Sequence, residues 1–450
     1  MNSVNWQQFG LRKNPYDTLP LIEGGDLPLE KAFVGRDNEK KILNSLFETN
    51  NRLCLAICGD VGVGKTSLAN FHKLIWKYDK SKLLFSFRRE IEASFDLLNK
   101  RNFLIEIIGS VLREIRLLNP TLLKNKVLQK LVHLVDITQT IAISAGGSAF
   151  GFGLDIGGER MNNPPLQLSN TLLEEYFLDL VQYLKRTPIK GHKYSGLIVH
   201  VNNFDIILSN TKGKEMAISF FEEMRDLLQT PDVYFLFLGP RNFFKEVICT
   251  KQRVKSIFHP TPLQIDPLSK TEIVHAFDER MKLLISDDVS SYIKPIENEA
   301  IYKLYDLYAG DIRSIMSGVL DILGQFSEKL AKSLTADEAI LLLGRERWER
   351  LENIMKLTPE QKRILIHLAS VETLITQKEV VAMFGKAQSN VSSYYFKPLK
   401  DHGIIEEKEK IGTTHYYGLT TDYIPLKWLI QSQDKIQESL ALQSNQMQMF

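Results

Sequence analysis

Cysteine is scarce, with three in 450 residues, and Cys54 and Cys58 fall in or beside one apolar run, so no disulfide framework can be drawn. No cluster of His and Cys completes a metal site, which leaves buried free thiols in a reducing compartment as the expectation. Long apolar runs are missing too. Nothing approaches the roughly 18 residues that cross a bilayer, so no membrane association is expected. The first residues, MNSVNWQQFGLRKNPYD, lack the charged-then-apolar order of a secretory signal, and a cytoplasmic protein is expected; Trp6, Phe9 and Tyr16 read as residues that dock onto a domain. A charge excess is the third absence: the net charge is +2, so attraction to nucleic acid would have to come from a local patch.

What is present suits a multidomain chain, because 450 residues exceed what one hydrophobic core accommodates. The runs RLCLAIC (52–58), LLFSF (83–87), LIVHV (197–201) and VYFLFL (233–238) are apolar without alternation. Helical spacing lies between them, at 65–77, 101–118, 121–134 and 214–228. Strands apolar on both faces that alternate with helices predict a parallel sheet covered on both sides. Residues 140–158 break the rhythm with six glycines and partial alternation, and read either as a flexible loop or as a β-hairpin projecting toward a partner protein, a neighbouring subunit or nucleic acid. After Pro267 the pattern is purely helical, over 270–285, 297–308, 311–327 and 335–357, as in a lid appended to a sheet domain.

The residues Gly59, Asp60, Val61, Gly62, Val63, Gly64, Lys65 and Thr66 match G-x-x-x-x-G-K-[ST] and sit between a buried strand and a helix. Glycines let backbone N–H groups curl around phosphate oxygens, and a helix start aims its positive dipole end at them. Lys65 is expected at the β- and γ-phosphates of ATP, the Thr66 hydroxyl on Mg²⁺, and Ser67 beside it. A neighbouring strand should end in a carboxylate that orders the metal. Here the strand over 197–201 ends in Asn202, Asn203, Phe204 and Asp205. Asn202 keeps an acceptor for the metal but lacks the charge, so nucleotide binding is expected with weak hydrolysis; Asp205 reads either as a displaced substitute or as a plain surface or capping acid.

The order of Phe33-Val34-Gly35-Arg36, the phosphate loop, NNFD, Gly239-Pro240-Arg241-Asn242 and Gly310-Asp311-Ile312-Arg313 resembles an AAA+ ATPase, with archaeal origin-recognition initiators and related prokaryotic signalling ATPases as the nearest likeness. That resemblance implies an α/β P-loop NTPase fold with a helical lid followed by a winged helix-turn-helix. It also implies that Phe33 and Val34 line the adenine pocket, that Arg313 is the lid arginine on the γ-phosphate, and that Arg241 or Asn242 is the polar sensor after the fourth strand. Asn202 and Asn203 stand where the family carries its acidic pair, so that Asn202, Asn203, Asp205 and Arg313 are the candidate catalytic residues. Ile257 falls where initiators carry an intersubunit arginine finger, with Arg253 as the substitute.

The last region opens with the helix start Thr358-Pro359-Glu360, continues with the capping box Thr376 to Glu379, and then has a helical run over 388–402 whose buried side is read as Val391, Tyr395 and Leu399. Its exposed side carries Gln388, Ser389, Asn390, Ser392, Ser393 and Lys397. Two strand-like pieces follow around a charged turn. This resembles a winged helix, whose third helix offers short polar side chains to a DNA major groove. Residues 356–427 hold ten Lys and Arg against eight Asp and Glu, a surplus small enough to keep a protein-docking role open. The expected division is a docking segment (1–32), an ATPase domain (33–266), a lid (267–355), a winged helix (356–428) and a Gln/Ser-rich tail (429–450). Two functions are expected from it: an ATP-gated binder of double-stranded DNA, or a signalling or scaffold ATPase that assembles with partner proteins or with itself, as in prokaryotic stress or antiviral defence.

Overall fold

Seven-residue strands buried at every position need cover on both faces, and β1 (Leu53–Gly59) is such a strand. The others beside it are β2 (Leu84–Ser86), β3 (Ile91–Glu92), β4 (Gly196–Asn202), β5 (Val233–Gly239) and β6 (Leu263–Ile265). Their order is β2-β4-β5-β1-β6, with β3 also on β4, and every pair is parallel. These features belong to a computed structural model that describes residues 4–144, 169–325, 332–371 and 373–432. The short strands β3 and β6 do not stand out in the sequence, since two or three residues carry no readable period.

Leu19–Leu268 form one compact unit around this sheet. The helix Lys65–Tyr78 follows β1 directly, and Lys100–Leu118, Lys126–Ser144 and Asn170–Arg186 pack on one another at its side. Lys126–Ser144 continues as helix across the first residues of the segment read as a hairpin or loop; the rest of that segment, 145–158, lies outside the described residues.

Met1–Thr18 and Ser269–Phe450 form the second unit. Its helices are Lys270–Leu283, Asn298–Leu307, Ile312–Gln325 and Ala336–Arg350. Phe9 and Tyr16 are buried here, with Tyr16 edge-on to Phe277 at 5.3 Å. Arg280 donates to the Asp17 carbonyl at 3.1 Å, and Arg12 N–H to the Leu284 carbonyl at 2.8 Å.

The same unit ends in the helices Pro359–Ser370 and Gln377–Phe384, a third helical stretch, and β7 (Ile375–Thr376), β8 (Ile405–Ile411) and β9 (Thr414–Leu419). These strands form an antiparallel sheet in the order β7-β9-β8. Helix, strand, two helices and a two-stranded wing make a winged helix-turn-helix around Ile364, Leu365, Val391, Phe396, Leu399 and Ile404. Its last helix, over 425–432, approaches Ala336–Arg350 so closely that a Cβ on Gly344 would stand 2.8 Å from both Leu429 Cβ and the Pro425 carbonyl. The buried Arg347 adds a hydrogen bond to the Asp422 carbonyl at 2.9 Å and an ion pair to Asp321 at 2.8 Å. The architecture is therefore the expected one, a parallel α/β sheet with a phosphate-loop turn after β1, followed by a helical bundle and a small three-stranded antiparallel sheet with its helices.

Candidate functional site

The loop between β1 and Lys65–Tyr78 needs left-handed backbone at Gly62 (φ 79°) and Gly64 (φ 92°), a region that glycine enters without steric cost. Gly59 answers a different demand: a Cβ there would lie 2.5 Å from the Ile265 carbonyl on β6. Lys65 is buried, and its ammonium donates to the carbonyls of Gly59 at 2.7 Å and Asp60 at 2.8 Å. Asp60 and Val61 are exposed at the loop tip, and Val63 is buried.

β4 delivers the second group. Asn202, at its end, donates from Nδ2 to Thr66 Oγ1 at 2.9 Å, so the two residues read as magnesium ligands are brought together. Asn203 then turns the chain with φ 67°, and Phe204 stacks on Phe221 and Phe243 at 5.7 and 5.0 Å. This anchor aims Asp205 back at the loop, with Oδ2 4.0 Å from Lys65 Nζ. Burial raises the Asp205 pKa above the usual carboxylate value, the nearby Lys65 charge opposes the rise, and Oδ1 has no hydrogen-bond partner among the described residues.

Two arginines complete the surroundings. Arg241, after β5, pairs with Asp60 at 2.9 Å and with Asp266, after β6, at 3.0 Å, so the residue read as a sensor binds the loop's own acid. Arg36 is buried and donates to the Val63 carbonyl at 2.9 Å; sequence reasoning gave it no role. Phe33 is buried against Phe71 at 5.2 Å, and its carbonyl accepts from Lys40 at 3.1 Å, while Val34 is half-buried. Ser67 Oγ accepts from Leu21 N–H at 3.3 Å. Arg313 belongs to the second unit, exposed on the first turn of Ile312–Gln325, where Asp311 caps the helix by accepting from Arg313 N–H at 2.9 Å. Asn242 precedes the short helix Phe243–Glu246 and Arg253 lies on Gln252–Lys255, and among the described residues neither bonds to the loop.

A triphosphate with magnesium suits these residues: a glycine-lined turn at a helix start, an ammonium, a hydroxyl next to an amide, and an unpartnered buried carboxylate oxygen. No group of three or more His, Cys, Asp or Glu among the described residues could hold a metal by itself. Mg²⁺ needs only one or two protein ligands and takes phosphate and water oxygens for the rest.

In the winged helix, Gln388, Ser389, Asn390, Ser393 and Lys397 are exposed and Ser392 is half-buried. The buried side of this helix differs from the reading above: Val391, Phe396 and Leu399 are buried, and Tyr395 only partly. Pro398 is the cause. It has no N–H for the Tyr394 carbonyl, and its ring crowds that oxygen; the turn widens to π-type over Val391–Phe396, and Gln361 Nε2 donates to the freed carbonyl at 3.0 Å. The register shift leaves Tyr394 67% exposed beside the polar residues. On the wing, β8 displays Glu406, Glu407 and Glu409 with Lys408 and Lys410, all exposed.

No family model and no curated protein matches the chain. Among solved structures it is similar to the Aeropyrum pernix ORC1 protein in complex with DNA, at 13% identity over 96% of this chain and 97% of that one, with a TM-score of 0.42. It is also similar to Cdc6p from Pyrobaculum aerophilum, at 15% identity over 94% and 99% with a TM-score of 0.39. The Aeropyrum pernix ORC2 protein with ADPNP and ADP gives 15% identity over 94% and 98%, with a TM-score of 0.43. At such values no residue's role passes from those proteins to this chain.

Proposed function

We propose that the chain is a nucleotide switch: an ATP- and Mg²⁺-binding protein, slow in hydrolysis, whose nucleotide state controls DNA binding by the winged helix. The observation that carries the proposal is the loop from Gly59 to Thr66, with its two left-handed glycines, buried Lys65 and Asn202–Thr66 pair. Lys65 and the loop amides hold the triphosphate, Thr66 and Asn202 face the metal, and Phe33 and Val34 lie on the base side. Mg²⁺ supplies charge neutralisation between the terminal phosphates. An amide in place of the acid weakens the ordering of metal and water, and Asp205 offers a carboxylate whose charge is opposed by burial.

The DNA half is supported by the exposed row Gln388, Ser389, Asn390, Ser393 and Lys397, whose side chains suit base edges and phosphates. The close packing at Gly344 and the Arg347 hydrogen bond tie the winged helix to the helical bundle, so that the two would move together. Arg313, exposed on that bundle, is the residue whose loss should uncouple the halves. One observation favours the rival reading of a scaffold ATPase that docks protein: the three exposed glutamates of β8 would repel a phosphate backbone.

The test is duplex-DNA affinity of wild-type, Lys65→Ala and Arg313→Ala proteins with and without ATP over a salt series. The switch reading expects a log–log salt slope of about one per phosphate contacted. It also expects an ATP effect that both variants lose, with ATP binding itself lost only in Lys65→Ala. Salt-insensitive or absent DNA binding would hand the winged helix to a protein partner, and undiminished ATP affinity in Lys65→Ala would refute the site.

A further inference from the structure

Arg36 holds an uncommon position. Its φ is 63°, a left-handed conformation that costs a non-glycine residue energy and persists where surroundings enforce it. It is 7% exposed, and its guanidinium spans two partners, donating from Nη2 to the Val63 carbonyl at 2.9 Å and from Nη1 to Glu39 at 3.0 Å. Val63 lies 27 residues away, inside the phosphate loop. Three residues before Arg36, Phe33 is pinned by Lys40, which donates to its carbonyl and lies 4.9 Å from its ring centre.

Resting on the nucleotide-site reading above, we infer that Arg36 is a positioning residue that sets the phosphate loop in its binding conformation. A trans peptide sends its C=O and the following N–H in opposite directions. Holding the Val63 oxygen toward Arg36 therefore turns the Gly64 N–H away from Arg36, to the side where a phosphate oxygen is bound. Glu39 fixes the guanidinium in place, and the charge makes this a stronger tether than a neutral hydrogen bond. Because Arg36 and Phe33 share one short segment, the tether also links the base side of the site to its phosphate side.

The variant Arg36→Gly removes the tether while easing the backbone strain at φ 63°. Calorimetry with Mg²⁺-ATP and with inorganic tripolyphosphate, well below the unfolding midpoint, should show both ligands bound roughly 10- to 100-fold more weakly, the scale of one lost charged hydrogen bond. Arg36→Lys should recover part of the loss, and Glu39→Gln should weaken both ligands a few-fold. If Arg36→Gly does not fold, the lysine and glutamine variants decide by the same comparison. Unchanged affinities, or a loss confined to ATP with tripolyphosphate unaffected, would overturn the inference, the latter showing a role at the base instead. Failure of the wild-type protein to bind either ligand would refute the nucleotide reading itself.

Discussion

Acid should destabilise the sheet unit well before its carboxylates titrate, because two histidines are locked in it without charge. His72 is fully buried on the helix Lys65–Tyr78 with Phe47 and Phe71 edge-on to its ring, and His200 is fully buried in β4; neither ring has a hydrogen-bond partner among the described residues. Burial lowers the His72 pKa to about 3, with Lys40 and Lys80 adding to the effect, and lowers that of His200 well below the ordinary 6.5, with Lys73 adding. An unfolded chain binds these protons near pH 6.5 and the folded chain does not, so this stability is fully present above pH 6.5 and is lost as pH falls toward the folded values. By pH 5 His72 alone should have withdrawn roughly 2 kcal/mol, and His200 acts in the same direction, against the 5–15 kcal/mol typical of a domain. Asp205 and Glu106, whose pKa values burial raises, act with the opposite sign, adding stability as pH falls through their raised values. Urea unfolding at pH 7.5, 6.5, 5.5 and 5.0 measures the effect, and the double variant His72→Leu, His200→Leu should flatten the curve over that range. Equal stability of the wild-type protein at pH 7.5 and 5.0 would show that the rings are not held neutral.

Two further outcomes follow from single contacts. Asn202→Asp restores a carboxylate opposite Thr66, whose hydroxyl now meets the amide at 2.9 Å, and should raise ATP turnover on the order of 10- to 100-fold in a phosphate-release assay; an unchanged rate would mean that the missing charge does not limit hydrolysis. Gln361→Leu strands the Tyr394 carbonyl that Pro398 cannot serve and should cost about 1–3 kcal/mol in denaturant unfolding of the winged-helix unit, whereas unaltered unfolding would mean that another donor takes over.

How far the sequence discloses these features depends on whether their cause is local. The phosphate loop is readable because its chemistry fixes residue types within eight consecutive positions, Gly59 to Thr66, and Asn202 is readable because a buried strand ends there. Arg36 and Arg241 are not, since their partners Val63 and Asp60 lie 27 and 181 residues away, and a hydrogen bond to a carbonyl leaves no mark on the identity of the accepting residue. The third helix of the winged helix falls between these cases. Regular spacing assigns Tyr395 to the core, yet Pro398 three residues later already dictates a break in the i→i−4 ladder. Once that break is made, the turn over Val391–Phe396 widens, Phe396 takes the core position, and Tyr394 reaches the surface. The aromatic on the candidate DNA-reading face is thus set by a proline that never touches DNA in the proposal, and a change at Pro398 should alter that face as surely as a change at Ser393 or Lys397.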